Sequence, residues 1–197
     1  MSIEGKIAIV TGGANGIGFC TARKLLRNGA KLTIIRYNEN IVYRIVQEAP
    51  IYGGTQYAIV GFTQSLKVKN AVFKKVVNDL NGLDIVINNA GIYNDKKWEQ
   101  TMCINVGGVI QGSLLAFDHM SKLKGGKGGT IVNIASIVAL DIIYSNPVYC
   151  ASKHFVLAFS RSLAESYQIE KTGIRVITLC PGLTETALTV DSPNKLL

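Results

Sequence analysis

Short runs of β-branched and other apolar residues alternate along the chain with longer segments in which apolar residues recur at helical spacing. The runs are KIAIV at 6–10, KLTII at 31–35, YAIV at 57–60, LDIVIN at 83–88, GTIVNIA at 129–135 and IRVITL at 174–179. Continuous apolar runs of this length are typical of strands that are buried on both faces. Their alternation with helices predicts a doubly wound α/β fold, with helices on both faces of a parallel sheet.

Composition adds limits on size and on partners. The 197 residues are 48% hydrophobic, which predicts one domain over 1–197 with an ample core. The formal net charge is +8, but the lysines are scattered and lack the interleaved aromatic residues of a nucleic-acid surface. We therefore expect no nucleic-acid partner, and we interpret the charge as favouring solubility and an anionic ligand.

The four cysteines lie far apart, with neither metal-ligand spacing nor the pattern of a disulfide framework. The two histidines have no acid or cysteine at ligand spacing, so no metal site is predicted. The N-terminus lacks a signal sequence, and no apolar run reaches the roughly 18 residues that cross a bilayer. These features predict a soluble, cytoplasmic protein without a membrane span.

The first predicted strand is followed by the glycine-rich stretch TGGANGIG, Thr11 to Gly18. Glycine at 12, 16 and 18 permits a tight turn, close approach of the backbone to a pyrophosphate, and close contact between helix and strand. The next helix then offers free N–H groups and a positive dipole end to an anion. Because the motif lies between a strand and a helix, it favours a Rossmann-like dinucleotide site over a plain loop.

A second feature is the pair Tyr149 and Lys153 in PVYCASKHF at 147–155. Four residues make about one helical turn, so the phenol and the ammonium lie on one helix face. A nearby cation lowers the pKa of a tyrosine and makes it a usable acid and base at neutral pH. Taken alone, the pair also fits a half-buried tyrosine beside a solvated lysine.

Six elements, in order along nearly the whole chain, resemble the short-chain dehydrogenase/reductase family. They are the turn at 11–18, NNAG at 88–91, Asn105 in INVGG, Ser136 in NIASI, Tyr149 with Lys153 in YCASK, and CPG at 180–182. Within the family, the segments at 88–112, 120–136 and 147–154 are most similar to NAD-dependent hydroxyprostaglandin dehydrogenases, with insect-type alcohol dehydrogenases close behind.

The resemblance implies an oxidoreductase that interconverts a secondary alcohol and a ketone with a nicotinamide cofactor, on an apolar or lipid-like substrate. Tyr149 would be the acid and base, and Lys153 would lower its pKa and hold the nicotinamide ribose. Ser136 would hydrogen-bond the substrate oxygen. Asn105 would keep a water in place as part of a proton relay.

The resemblance also implies a set of cofactor-binding residues shared between the glycine turn, the second strand, the NNAG segment and the loop after the last strand. They are Gly12, Asn15, Gly16, Ile17, Gly18, Arg36, Asn88, Ala90, Gly91, Tyr149, Lys153, Pro181, Gly182 and Thr186. Asn88, Ala90 and Gly91 also fit a mainly structural role in supporting the sheet.

Arg36 departs from the pattern of the NAD-dependent relatives, which place an acid at the end of the second strand. An arginine cannot accept hydrogen bonds from the adenosine ribose hydroxyls, but its planar fork suits a 2′-phosphate. The aspartate that the family usually has after the third strand is missing too. The residue in contact thus favours NADP slightly, whereas the overall resemblance favours NAD.

The sequence ends at TVDSPNKLL, where relatives continue through a substrate lid and a last strand. Compared with these relatives, the substrate lid and the last strand are therefore missing from residues 1–197. The helices expected at about 98–121 and 148–170 carry more apolar residues than one sheet face needs, and the equivalent helices of relatives pair in a homodimer. A second hypothesis, a cofactor-poor relative that serves as a binding or scaffolding dimer, stays open at this point.

Overall fold

All six apolar runs of the sequence form β-strands, and a seventh short strand joins them. The computed structural model describes residues 2–37, 46–47, 57–62, 66–186 and 188. The strands are β1 Ile7–Thr11, β2 Lys31–Tyr37, β3 Val46–Gln47, β4 Tyr57–Phe62, β5 Ile85–Asn88, β6 Gly129–Ile134 and β7 Ile174–Leu179. The two-residue strand β3 was not predicted.

The described strands form one sheet in the order β3-β4-β2-β1-β5-β6-β7. Every neighbouring pair is parallel except β3 with β4, which is antiparallel. The chain runs outward from β1 on one side and resumes at β5 on the other, so the order reverses between these two strands. Ligands of doubly wound sheets bind at such a reversal, beyond the carboxyl ends of the strands.

Six α-helices connect the strands of the described chain. They are α1 Gly16–Arg27, α2 Leu66–Leu80, α3 Trp98–Met102, α4 Gly108–Met120, α5 Pro147–Leu163 and α6 Ser166–Thr172. Between α3 and α4, residues Cys103–Gly107 form a π-helical turn, so 98–120 is helical throughout, as predicted. None of the described helices has the length and apolar character needed to cross a membrane.

The prediction of one helix over 148–170 is wrong. Glu165 adopts an extended conformation, with φ −58° and ψ 139°, which separates α5 from α6. No glycine or proline marks this break in the sequence. The catalytic candidates Tyr149 and Lys153 lie on α5, ahead of the break.

The core lies on both sides of the sheet, as the buried strands predicted. Along β1, Ile7 and Ile9 pack on one face with α2 and α4, whereas Ala8 and Val10 pack on the other face with α1. The cover is incomplete at β7, where Ile177 and Leu179 are 43% and 49% exposed. The expectation that helices lie on both faces of the sheet is confirmed, and the partly exposed side chains belong to the last strand of the described sheet.

Candidate active site

The glycine turn after β1 has the backbone geometry that its sequence predicted. Gly12 and Gly16 have φ values of +67° and +52°, in the left-handed region that favours glycine. A Cβ on Gly12 would lie 2.8 Å from the Cα of Ala90, and one on Gly18 would lie 2.4 Å from the Gly12 carbonyl oxygen. Glycine is therefore required at these positions for the turn and for its contacts.

The start of α1 fits an anionic group such as a pyrophosphate. Asn15 is the N-cap in an extended conformation, and its side chain makes no capping hydrogen bond to the described helix. No acid occupies the first turn. Backbone N–H groups and the positive end of the helix dipole thus face the turn at Gly16 and Ile17, and the first turn of α1 itself carries no carboxylate.

Two residues that the sequence analysis missed hold this turn against β5. Asn89 donates through Nδ2 to the carbonyl oxygens of Thr11 (3.1 Å) and Gly12 (3.2 Å). Thr11 Oγ1 accepts from the N–H groups of Asn89 (3.0 Å) and Ala90 (3.1 Å). The second asparagine of NNAG was the available signal, since a polar side chain at a buried strand end needs a partner.

Asn88 turns away from the glycine turn. Its Nδ2 donates to Asn133 Oδ1 (2.8 Å) and Ser113 Oγ (3.2 Å), while Asn133 donates to Ser160 Oγ (2.9 Å). These buried contacts tie the ends of β5 and β6 to α4 and α5. In the structure Asn88 thus supports the sheet, and its contact with a cofactor stays a prediction.

Tyr149 and Lys153 lie on one face of α5, as their spacing predicted. The Lys153 Nζ is 5.7 Å from the centre of the Tyr149 ring and donates to the Ile134 carbonyl oxygen at 3.0 Å. Both side chains are buried. Gly91 lies close by, since a Cβ there would be 3.5 Å from Lys153 Nζ. The pair therefore sits at the carboxyl end of β6, next to the NNAG segment.

Ser136 joins this pair from the loop after β6. Its hydroxyl forms a side-chain hydrogen bond with Tyr149 and also accepts from the Val138 N–H at 3.4 Å. The second contact caps a short 3-10 turn, Ile137–Ala139. The structure thus brings together the serine, tyrosine and lysine that the resemblance selected.

The pKa of Tyr149 differs from the sequence-based expectation. Burial raises the pKa of the phenol above its ordinary 10.0. The hydrogen bond with Ser136 lowers this pKa, and the neighbouring Tyr93 raises it further. Burial also lowers the pKa of Lys153 to about 8. The expected net lowering of the Tyr149 pKa is not found in this structure, because desolvation of the phenol is the largest cause and raises it. The influence of Lys153 on that pKa stays a prediction.

Asn105 lies in the π-helical turn, and its side chain is fully engaged with protein groups. Its Oδ1 accepts from the Ile92 N–H (2.8 Å), and its Nδ2 donates to the Ile92 carbonyl (2.9 Å) and to Ser152 Oγ (3.0 Å). Asn105 therefore links the loop after β5 to α5, one residue from Lys153. Its role in holding a water stays a prediction.

The loop after β7 approaches both parts of the site. The Pro181 carbonyl accepts from the Ile137 N–H at 2.8 Å, next to Ser136. Thr186 lies against the glycine turn, since a Cβ on Gly16 would be 3.1 Å from its Cγ2. Gly182 is exposed, and a Cβ there would meet nothing within 4 Å.

A cavity of about 780 Å³ lies between α1 and residues 184–186. It is lined in part by Gly16, Ile17 and Thr186, which were predicted to bind the cofactor, but it does not reach Tyr149. We place the chemistry at the tyrosine and lysine rather than in this cavity, because there a buried phenol and a buried amine lie together on one helix face.

Arg36 is placed only by its backbone, because its side chain lies outside the described part of the chain. It follows Ile35, which pairs with Thr11 and accepts from the Gly12 N–H at 2.6 Å. The Arg36 backbone thus lies beside the glycine turn, at the edge of the sheet where the sequence analysis placed it.

Comparison with known proteins agrees with this geometry. The family model described as short chain dehydrogenase matches residues 6–196. The 15-hydroxyprostaglandin dehydrogenase (NAD+) of Rattus norvegicus is 40% identical over 190 residues, which are 95% of this chain and 71% of that protein. Alcohol dehydrogenase 1 of Ceratitis cosyra is 37% identical over 190 residues, covering 95% of this chain and 74% of that protein.

A solved structure supports the fold independently. A short chain dehydrogenase/reductase from Burkholderia phymatum, in complex with NAD, matches with a TM-score of 0.81 and 21% sequence identity. The match covers 95% of this chain and 69% of that one. The resemblance found in the sequence is confirmed: this chain is an enzyme of the short-chain dehydrogenase family.

Proposed function

We propose that this enzyme interconverts a secondary alcohol and a ketone by hydride transfer with NAD, and that its substrate is apolar and lipid-like. The observation that carries the proposal is the meeting of Ser136, Tyr149 and Lys153 at the sheet edge that also bears the glycine turn. A proton donor next to a dinucleotide site is the arrangement that carbonyl reduction and alcohol oxidation need.

The side chains divide the work by position. Ser136 orients the substrate oxygen, and Tyr149 gives that oxygen a proton during reduction or takes one from it during oxidation. Lys153 holds the ribose next to the nicotinamide, and the cofactor, when bound, supplies or accepts the hydride. The phenol is protonated at neutral pH, since burial raises its pKa above the ordinary 10.0, so it holds the proton that reduction requires.

The substrate class is argued from the segment between β6 and α5. Residues Ile137, Leu140, Ile142 and Tyr144 are all exposed, with Tyr144 at 87%. They lie in the segment that joins Ser136 to the helix of Tyr149, the two residues proposed to bind the substrate oxygen. Apolar side chains at this place favour a substrate with an apolar body, since it removes their surface from water.

The choice of NAD rests on the relatives, whereas the sequence argument for NADP rests on Arg36 alone. The similar hydroxyprostaglandin dehydrogenases are named as NAD+ enzymes, and the similar bacterial structure is a complex with NAD. We also propose a homodimer, on the apolar surfaces of α4 and α5, and a cytoplasmic location, on the four free cysteines.

The competing hypothesis, a scaffolding dimer without turnover, is disfavoured by the catalytic side chains. A buried lysine and a buried tyrosine cost stability, and a chain without turnover gains nothing from keeping them together. The same experiment tests both hypotheses.

The experiment is a titration with NAD and NADP, oxidised and reduced, followed by a screen of secondary alcohols and ketones with apolar bodies, hydroxyprostaglandins included. Tyr149→Phe is the control, because it keeps the ring but cannot exchange a proton. We expect cofactor-dependent turnover that this variant loses by at least roughly a hundredfold while it still binds cofactor. Absence of binding by all four cofactors would leave only the scaffolding role.

A further inference from the structure

Asp95 is a buried carboxylate outside the predicted catalytic set, and it contacts the first turn of α5. It is 2% exposed. Its Oδ2 accepts from the Val148 N–H at 2.7 Å, and its Oδ1 accepts from the Tyr149 N–H at 2.9 Å. Both oxygens of one carboxylate are therefore used to hold the residue that bears the phenol and its neighbour.

Asp95 takes the place of the usual N-cap residue. Asn146 is the N-cap of α5 by position, yet its side chain does not cap the helix and instead accepts from Tyr93 Oη and Ser145 Oγ. Pro147 has no N–H, so the next two donors of the helix are those that Asp95 binds. A carboxylate at this end also interacts favourably with the helix dipole.

Tyr93 contacts the same turn from the same loop. Its ring packs edge-on against the ring of Tyr149, with centroids 4.6 Å apart, while its hydroxyl bonds Asn146. Asn94, between Tyr93 and Asp95, holds this loop in place. Its side-chain Oδ1 accepts from the Lys97 N–H at 3.1 Å, and its backbone carbonyl accepts from Thr101 Oγ1 at 2.6 Å.

We infer that Asp95 and Tyr93 are positioning residues, which set the place of the Tyr149 phenol relative to Ser136 and the substrate. The inference rests on the proposed function. A misplacement of about 1 Å at a reacting group can cost roughly a hundredfold in rate, so a cap that fixes the backbone of the acid has a catalytic consequence. The loop after β5 therefore makes two sets of contacts. Through Asp95 it holds the first turn of α5, and through Asn89 it holds the glycine turn.

The test compares Asp95→Asn with Asp84→Asn. Asparagine has the same size as aspartate but only one side-chain oxygen, so one of the two backbone N–H groups would face an amide N–H and lose its acceptor. Asp84 is the matched control, since it accepts from the Ile7 N–H at 2.9 Å at the opposite edge of the sheet. We expect Asp95→Asn to lower kcat roughly ten- to a hundredfold with an unchanged cofactor Kd, and Asp84→Asn to leave kcat unchanged.

A double-mutant cycle with Tyr149→Phe separates positioning from a general loss of structure. If Asp95 acts through the phenol, Asp95→Asn has little further effect on the low kcat of Tyr149→Phe. Additive losses would overturn the inference. Should Asp95→Asn not fold, Tyr93→Phe decides, because it keeps the ring and removes only the bond to Asn146; an unchanged kcat in that variant would overturn the inference.

A readout without turnover keeps this inference distinct from the proposed function. In protein with ¹³C-labelled tyrosine, the Tyr149 ring resonance is assigned by its absence in Tyr149→Phe. We expect it to move in Asp95→Asn and to stay in place in Asp84→Asn. If the resonance moves while wild type turns over no substrate, the proposed function fails and the positioning stands; if it stays in Asp95→Asn, the positioning fails.

Discussion

At the scale of single residues, the site is governed by burial. Tyr149 and Lys153 are both held out of water, and each responds by favouring its neutral form: the pKa of the phenol rises and that of the amine falls to about 8. At neutral pH a tyrosine with a raised pKa is almost entirely protonated, so it can donate a proton to a ketone but only the rare phenolate can accept one from an alcohol. Alcohol oxidation by this enzyme should therefore quicken toward alkaline pH more than ketone reduction does.

Lys153→Met should make the folded protein more stable at neutral pH, although it removes a catalytic group. The lysine pKa is about 8 in the folded chain against 10.5 in the unfolded one, so the unfolded chain binds more protons between these values. Wild-type stability then rises with pH through that window, by roughly 3 kcal/mol, because the buried amine loses its charge.

The measurement is the free energy of unfolding by denaturant, from pH 8 toward 10.5, for wild type and Lys153→Met. The advantage of the variant should shrink steadily as pH rises. Lys127→Met, at an exposed position, is the control and should show no such trend. A pH-independent difference between Lys153→Met and wild type would contradict the prediction.

We expect Arg36 to affect how strongly the enzyme discriminates between NAD and NADP. Arg36→Asp should raise the affinity for NAD and lower that for NADP, because a carboxylate accepts from the ribose hydroxyls and repels a 2′-phosphate. Loss of a charge-assisted contact corresponds to roughly ten- to a hundredfold in affinity for NADP. Titration of both variants with both cofactors measures it, and an unchanged ratio would mean that Arg36 points into solvent.

At the scale of elements, the close contact between α4 and the sheet depends on Gly112, which has no side chain. A Cβ at Gly112 would lie 2.0 Å from Asn88 Oδ1, a buried oxygen for which no hydrogen-bond partner is found among the described residues. A Cβ at Gly108, four residues earlier on the same helix, would meet nothing within 4 Å. The two positions are therefore both helical, but only Gly108 has room for a side chain.

Gly112→Ala should destabilise the enzyme by about 1–3 kcal/mol, because the methyl group displaces Asn88 and its bonds to Ser113 and Asn133. Gly108→Ala should stabilise it by about 0.5–1 kcal/mol, since alanine favours a helix where nothing obstructs it. Thermal and denaturant unfolding of both variants checks the pair, and equal effects of the same sign would count against it.

The sequence predicted the elements well where local pattern decides and poorly where distant contacts decide. Six strands follow from apolar runs, but β3 is two residues long and has no such run. The break at Glu165 carries no glycine or proline. Asp95 could not be found from the sequence either, because its partners are more than fifty residues away, and the pKa of Tyr149 depends on burial that only the folded chain reveals.

At the scale of the whole molecule, apolar surface remains on the helices that were expected to pair. Leu114 on α4 is 53% exposed, and Phe155 and Phe159 stack on α5 with centroids 5.5 Å apart. The single domain over 1–197 stays a prediction. The chain spans 71% of the length of the rat relative.

We expect the protein to sediment as a dimer at micromolar concentration, because exposed apolar helix faces gain most from association with a second copy. Leu114→Glu should shift it toward monomer by placing a charge on that surface. Leu123→Glu is the control, since Leu123 is 70% exposed but lies outside both helices. Monomeric wild type, or equal behaviour of the two variants, would contradict the prediction.

The π-helical turn at Cys103–Gly107 makes the number of residues in this helix as important as their identity. The Gly108 N–H is shared between the Cys103 carbonyl, five residues back, and the Ile104 carbonyl, four residues back. A π-helical turn of this kind holds one residue more than the equivalent turn of an α-helix. One residue corresponds to about 100° of rotation. Deleting Val106 would restore a regular helix, and with Gly112 kept against Asn88, it would rotate Asn105 away from Ile92 and Ser152. A one-residue deletion here would therefore rotate the residues before it by about 100° relative to those after it, and replacing a side chain on the helix would not reverse that rotation.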